Sequence, residues 1–260
     1  MKFRHVLAAK TGIKEDNLPA SYQIIGDVLL IKLLKIRSLE QKKKVAKAIM
    51  KMFPRIKTIG EIKGIEKEFR TPRIKKLLGN GFVTVHKEHG IKYKLDAQKI
   101  MFSKGNLYER QRLLKQIKKN EIVADMFAGI GYFSLGVART SSKVYAIEKN
   151  PLAFGYLKEN IRLNKIKNIV AINDDCRKVK LKADRVIMGY FPETQKFLPY
   201  ALKFVENGVI HFHNSAKDKN EIKMQIENIC NSRYGIKQIR KVKSIAPRTY
   251  HFVADISIKK

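Results

Sequence analysis

From Asn120 onward the sequence alternates between short β-prone runs and helical patterns, and this alternation constrains the fold more than any other feature. The β-prone runs are 122–127, 143–148, 169–173, 183–190 and 209–214, with helices expected to start near Tyr132, Pro151, Pro192 and Lys217. Strands that alternate with helices in this way build a wound, mostly parallel α/β sheet. Two more strand-like runs within 238–260 flank Ala246-Pro247-Arg248 and suggest a closing antiparallel hairpin.

The earlier part of the chain reads differently. Residues 1–20, ending in Asn17-Leu18-Pro19, form a short basic lead-in. Ile24 to Ile31 reads as a strand that follows a Gly-Asp turn. Glu40 to Phe53 carries Val45 and Ile49 at helical spacing with lysines on the other face, and Pro54 ends it. The runs 56–65, 70–78, 82–86 and 91–95 are short strands broken by glycines. The expected organisation is therefore a small basic α+β domain over 21–105. A second domain over 106–260 follows, opened by a helical connector.

Chemistry concentrates where the first α/β strand ends. Asp125-Met126-Phe127-Ala128-Gly129-Ile130-Gly131 leaves that strand and enters a helix, and Glu148 stands 23 residues after Asp125, at the end of the second strand. Glycines let backbone approach a ligand closely, and a carboxylate at the second strand end accepts both hydroxyls of a ribose. The loop lacks the third glycine that a pyrophosphate would call for, and it has no Gly-Lys-Ser/Thr. A nucleoside without phosphates, S-adenosylmethionine, fits best. Asn173-Asp174-Asp175-Cys176 follows the third strand, where an acidic residue can meet an adenine amino group.

Composition supplies the partner. Fifty-five Lys+Arg oppose 23 Asp+Glu for a formal charge of +32, with the excess heavier before residue 120 than after it. Such a field concentrates polyanions, which points to nucleic acid. No apolar run is long enough to cross a bilayer, and the basic residues are too dispersed for one membrane-binding helix. Two cysteines, Cys176 and Cys230, support neither a disulfide framework nor a four-cysteine zinc site. A cytoplasmic, monomeric protein without a metal is expected. His211 and His213 share one strand face, but no third ligand stands near them in sequence. The Lys42-Lys43-Lys44 run reads as a solvated helix face.

Several motifs, in order, resemble one family. They are Asp125 to Ser134, Ala146-Ile147-Glu148-Lys149-Asn150-Pro151, Asn160 to Asn164, and Ala183 to Met188, preceded by His86 to Gly90, Met101-Phe102-Ser103 and Glu109-Arg110. Together they resemble the class I, S-adenosylmethionine-dependent enzymes that modify guanosine 37 of tRNA, over roughly residues 20–260. The resemblance implies a Rossmann-like class I methyltransferase sheet. Two departures bear on the branch. Where N-methylating relatives carry an Asn or Asp with prolines after the fourth strand, this chain has Gly189-Tyr190-Phe191-Pro192. Where they carry an arginine four residues before the Glu of the Glu-Arg pair, it has Gly105. Both match the wybutosine-pathway branch, which transfers the 3-amino-3-carboxypropyl arm of S-adenosylmethionine to 4-demethylwyosine at position 37 of tRNA-Phe. A guanosine-37 N1-methyltransferase and a non-catalytic tRNA-binding paralogue stay open as alternatives.

The roles that the resemblance implies can be assigned residue by residue. Glu148 holds the ribose; Asp175 and the Cys176 amide meet the adenine; Phe127, Ala128 and Gly129 floor the cofactor site, with Asn150 beside them. Gly189 and Tyr190 border the reacting carbon. Ser103 and Arg110 contact the methionine arm, and Glu109 is a candidate base.

Overall fold

The computed structural model describes residues 3–66, 70–103, 106–190, 193–230 and 234–259. Contacts divide the chain into two units, Met1–Phe102 and Ser103–Lys260.

The first unit begins with helix α1 (Phe3–Thr11) and a turn of 3-10 helix at Glu15–Asn17. Residues 3–18 are thus not a mere lead-in: Leu7 and Leu18 are buried in the unit's core. Strands β1 (Tyr22–Ile25) and β2 (Val28–Ile31) form a hairpin. The Gly26-Asp27 turn therefore splits what reads as one strand, with Gly26 at φ +57°, a conformation that glycine adopts without strain. Helix α2 (Leu39–Met52) is capped by Ser38, whose hydroxyl accepts the Gln41 N–H, and it turns Val45, Ala46 and Ile49 into the core. Strands β3 (Thr58–Ile65) and β4 (Pro72–Gly79) complete a sheet of order β1-β2-β3-β4, in which β2 and β3 run parallel. Strands β5 (Val83–Glu88) and β6 (Ile91–Asp96) make a separate hairpin. The lysine face of α2 is only partly solvated, because Lys42 is buried and donates to Glu61 Oε1 at 2.8 Å.

In the second unit, α3 (Leu107–Leu114) leads to β7 (Ile122–Asp125), α4 (Ser134–Val137), β8 (Lys143–Ile147), α5 (Pro151–Leu163), β9 (Ile169–Ile172) and β10 (Arg185–Met188). A 3-10 turn at Thr194–Phe197 and α6 (Leu198–Phe204) then precede β11 (Asn207–Ala216), α7 (Lys219–Glu227), β12 (Tyr234–Ala246) and β13 (Thr249–Lys259). The sheet order is β12-β13-β11-β10-β7-β8-β9. Neighbours from β11 to β9 pair in parallel, while β13 is antiparallel to both its neighbours. The chain winds outward from β7 to β9 and returns to β10 on the other side of β7. That reversal leaves a crevice at the carboxyl ends of β7 and β10, where open α/β sheets bind ligands. The expected helix near Tyr132 is a single turn at Ser134–Val137. Among the described residues no helix is long and apolar enough to cross a membrane.

Candidate nucleoside site and its supports

The loop after β7 is shaped by two left-handed glycines, Gly129 at φ +56° and Gly131 at φ +98°. A Cβ on Gly131 would stand 2.6 Å from Leu135 Cγ, so the sharp turn and the packing beneath it both require glycine. This turn aims the Gly129 N–H at Glu148 Oε2, 2.7 Å away, while the Asn150 N–H donates to Oε1, also at 2.7 Å. Each carboxylate oxygen keeps a second acceptor position, and a ribose diol needs two acceptors. Burial pushes the Glu148 carboxyl above its ordinary value, and the two N–H bonds oppose that rise. Asn150 spends its side chain capping α5 through the Leu152 N–H, with Pro151 opening the helix. Asn173, at the end of β9, donates to the Glu148 carbonyl at 2.7 Å and ties the second and third strand ends together.

Asp125 supports the loop from below. It is fully buried and accepts from the Ser134 hydroxyl at 2.6 Å; burial, opposed by that bond, lifts its carboxyl to about 6. Ala128 is buried, and its N–H bonds the Ile147 carbonyl, so it contributes backbone rather than an exposed floor. At the adenine end, Asp175 is engaged by Arg177 through Nε at 2.9 Å and Nη2 at 2.6 Å, which holds its carboxyl down at about 2. Arg177 also lies over the Phe197 ring at 5.5 Å. A purine can therefore meet a permanently ionised Asp175 only by sharing it with Arg177. Cys176 is buried, and burial pushes its thiol up to about 12. It is no nucleophile, which suits a role through its amide.

Phe127 stacks on Tyr190 at 5.1 Å and meets Phe197 edge-on at 5.0 Å. Tyr190 thus packs into an aromatic cluster, and its carbonyl accepts the Thr194 hydroxyl. Gly189, just past β10, lies where a Cβ would stand 2.9 Å from the Phe133 ring. Gly105, Phe191 and Pro192, and with the last two the expected helix start, lie outside the described residues.

Glu109 does not stand as an available base. It is buried, Arg112 clamps its Oε1 at 2.6 and 2.8 Å, and Arg240 Nε lies 3.6 Å from its Oε2. Arg112 also donates to both oxygens of Asp255, at 2.6 and 2.9 Å. Asp255 meets His211 Nδ1 at 2.7 Å, and Arg185 Nη1 meets His211 Nε2 at 2.7 Å. An arginine can only donate, so His211 Nε2 accepts and Nδ1 carries the proton toward Asp255. Burial holds the imidazole below its ordinary value, consistent with that neutral form. For Asp255, burial pushes upward, but the bonds from His211 and Arg112 outweigh it and keep the carboxyl well below the carboxylate range. Arg185 finally pairs with Glu121 at 2.8 Å. This network fastens α3 to the sheet. His213 bonds His251 at 3.1 Å. Ser103 and Arg110 do come together: Arg110 Nη1 donates to the Ser103 carbonyl at 3.3 Å, and Lys243 Nζ meets Ser103 Oγ at 3.1 Å.

Asn173, Arg177, Phe133, Lys243 and the Arg112–Asp255–His211 network are the supports that sequence reasoning missed. Asn173 was within reach, since it heads the quoted Asn173-Asp174-Asp175-Cys176 run. Arg177, two residues after Asp175, was within reach too, whereas the others become visible only once distant strands are paired.

Comparison with known proteins shows the family of the chain. A family model described as the TRM5/TYW2 methyltransferase domain matches residues 84–238, and one described as the TYW2 N-terminal domain matches 3–82. A tRNA(Phe) (4-demethylwyosine(37)-C(7)) aminocarboxypropyltransferase of Methanocaldococcus jannaschii is 42% identical over 254 residues, covering 92% of this chain and 98% of that protein. The structure of P. horikoshii TYW2 in complex with MeSAdo superimposes with a TM-score of 0.83 at 35% identity, covering 98% of both chains. That of M. jannaschii TYW2 in complex with AdoMet gives 0.70 at 37% identity, covering 92% of this chain and all of that one. With both of its units matched by the family's own domains, the chain belongs to the TRM5/TYW2 family of class I, S-adenosylmethionine-dependent proteins.

Proposed function

We propose that the protein transfers the 3-amino-3-carboxypropyl group of S-adenosylmethionine to C7 of 4-demethylwyosine at position 37 of tRNA-Phe, releasing methylthioadenosine. The observation that carries the branch is Gly189. At the carboxyl end of β10, where an amino-methyltransferase would hold its target nitrogen with a side-chain acceptor, this chain offers none, and the Phe133 ring lies against the position. The relatives named above are aminocarboxypropyltransferases or carry the TYW2 name.

The donor supplies a sulfonium whose departure is intrinsically facile. The protein's work is placement. Glu148 fixes the ribose through the acceptor positions its two N–H bonds leave open, and Asp175 with the Cys176 amide fixes the adenine. Ser103 and Arg110 engage the methionine arm and turn its sulfonium-bound carbon, rather than the methyl, toward the acceptor. Attack must be in line with the breaking C–S bond, with the nucleophile at roughly 3–3.5 Å. C7 bonds that carbon as the C–S electron pair stays on sulfur, and C7 then gives its proton to water, which restores the aromatic ring. Tyr190 borders this space from the Phe127 cluster, while Glu109 anchors α3 rather than taking the proton. The N-terminal unit, which carries more positive charge per residue than the other, adds to the hold on the tRNA.

The test uses S-adenosylmethionine labelled separately in the methyl group and the carboxyl carbon, each incubated with tRNA-Phe bearing guanosine or 4-demethylwyosine at position 37. Carboxyl label should enter only the tricyclic tRNA. Methyl label entering the guanosine tRNA would overturn the proposal.

A further inference from the structure

We infer that β12 and the turn after it form a docking edge for the sugar–phosphate backbone of the substrate RNA, an inference that rests on tRNA being the acceptor. β12 is an outer strand of the seven-stranded sheet. It carries Lys237, Arg240, Lys241 and Lys243, Arg248 follows in the turn, and no acidic residue lies between Tyr234 and Ala254. Lysines on an outer strand discourage edge-to-edge pairing. The local geometry here does more than that.

The register shifts between Lys241 and Lys243, which pair with Phe252 and His251, so Val242 is an extra residue in the strand. That bulge lets Arg240 and Lys243, three apart, address the same segment. Arg240 lies 3.9 Å from the centroid of the Tyr108 ring, and Lys243 reaches Ser103. Tyr108 is 60% exposed, so a cation-backed aromatic ring stands at the surface beside Ser103. Lys241 sits over the Tyr250 ring at 3.2 Å. Cation and ring together suit RNA, since one meets phosphate and the other offers a base a stacking face.

Direction matters as much as composition. β12 is antiparallel to β13, and β13 is antiparallel to β11, so β12 climbs toward the carboxyl edge of the parallel strands. The turn leaves the sheet where Tyr250 pairs with Ala216, the last residue of β11. Residues 244–248 are all exposed there, on the same edge of the sheet as Gly129 and Glu148. A strand of RNA held along this cationic rail is delivered to the edge where the nucleoside site opens. Phosphate contacts of this kind set position without reading sequence.

The test compares two triple variants of the full chain that remove equal charge: Lys237→Gln/Lys241→Gln/Arg248→Gln on the rail, and Arg162→Gln/Lys165→Gln/Lys167→Gln on the exposed end of α5 and its loop. Binding of a tRNA-Phe transcript is measured across a salt series, with S-adenosylmethionine binding and thermal unfolding measured on each protein. The rail triple should weaken RNA binding and flatten the log–log salt slope by about 1 per removed cation. The control triple should leave the slope near wild type, and both should bind S-adenosylmethionine as wild type does. Equal weakening by both triples, or none by the rail triple, would overturn the inference and leave the proposed function standing. A wild-type protein that binds S-adenosylmethionine but no tRNA would overturn both.

Discussion

Replacing Glu148 by glutamine tests the nucleoside site at its centre. The substitution keeps shape but removes charge, and one acceptor oxygen becomes an NH2 group that can only donate. Whichever way the amide turns, it presents that donor to either the Gly129 or the Asn150 N–H, each now 2.7 Å from a carboxylate oxygen. Losing one charge-assisted bond costs about 1.5–3 kcal/mol, which should appear directly as reduced stability of the unit. The ribose loses its charged acceptor as well, at a similar cost, so the ligand Kd should rise about 10²-fold. Isothermal titration with S-adenosylmethionine and with methylthioadenosine reads the second effect, and urea unfolding reads the first. Both ligands carry the ribose, so both should weaken alike. A Kd within about threefold of wild type, less than ~0.7 kcal/mol, would refute the assignment of Glu148 to the ribose.

Three further outcomes follow from the supports. Asp125 binds its proton more tightly in the folded chain, at about 6 against 3.8. Its stabilisation is therefore complete below about pH 3.8 and fades as pH rises through 6, by about 3 kcal/mol. The stability difference between wild type and Asp125→Asn, from urea unfolding at a series of pH values, should fall by that amount across the window; a pH-independent difference would count against it. Asp255→Asn takes from Arg112 one of its two carboxylate partners, Glu109 remaining, and should destabilise by about 1.5–3 kcal/mol. Because the Asp255 carboxyl is held low, its contribution should be present above about pH 4 and disappear on acidification. Finally, Gly131→Ala should cost more than about 1–2 kcal/mol from its left-handed φ and the contact with Leu135, and should impair S-adenosylmethionine binding. Gly155→Ala, inside α5 with nothing within 4 Å of the added Cβ, should instead stabilise by about 0.5–1 kcal/mol. Opposite signs in thermal unfolding are the expected result.

Features governed by local rules were legible in the sequence. The alternation after Asn120 gave the parallel sheet, and the glycine spacing gave the turn that meets Glu148, because strand, turn and strand end are set by neighbours in the chain. The hairpin around Ala246-Pro247-Arg248 was legible for the same reason. Its insertion beside β11 was not, since pairing partners are set by topology. Glu109 reads as a candidate base because its position matches a motif, yet its environment comes from Arg112, Arg240 and, through Arg112, Asp255, 143 residues further on than Arg112. Lys42 looks solvated as part of a lysine run until β3 brings Glu61 to it. Leu7 and Leu18 look like parts of a lead-in until α2 and the first sheet supply a surface to cover. In each case the residue type was readable and its partner was not.

The place of β13 bears on how this protein is made. It is the last strand of its sheet to be synthesised, yet it lies between β11 and β12 and pairs along nearly its whole length with both. While residues 249–259 are still missing, β11 has an open edge and β12 has no partner at all. The C-terminal unit therefore cannot be completed as it is translated. Its final closure must wait for the hairpin to turn back and fill the gap, and until then a strand rich in cations is free beside an unpaired sheet edge. A released chain truncated just before Thr249 should therefore aggregate more readily than the full chain.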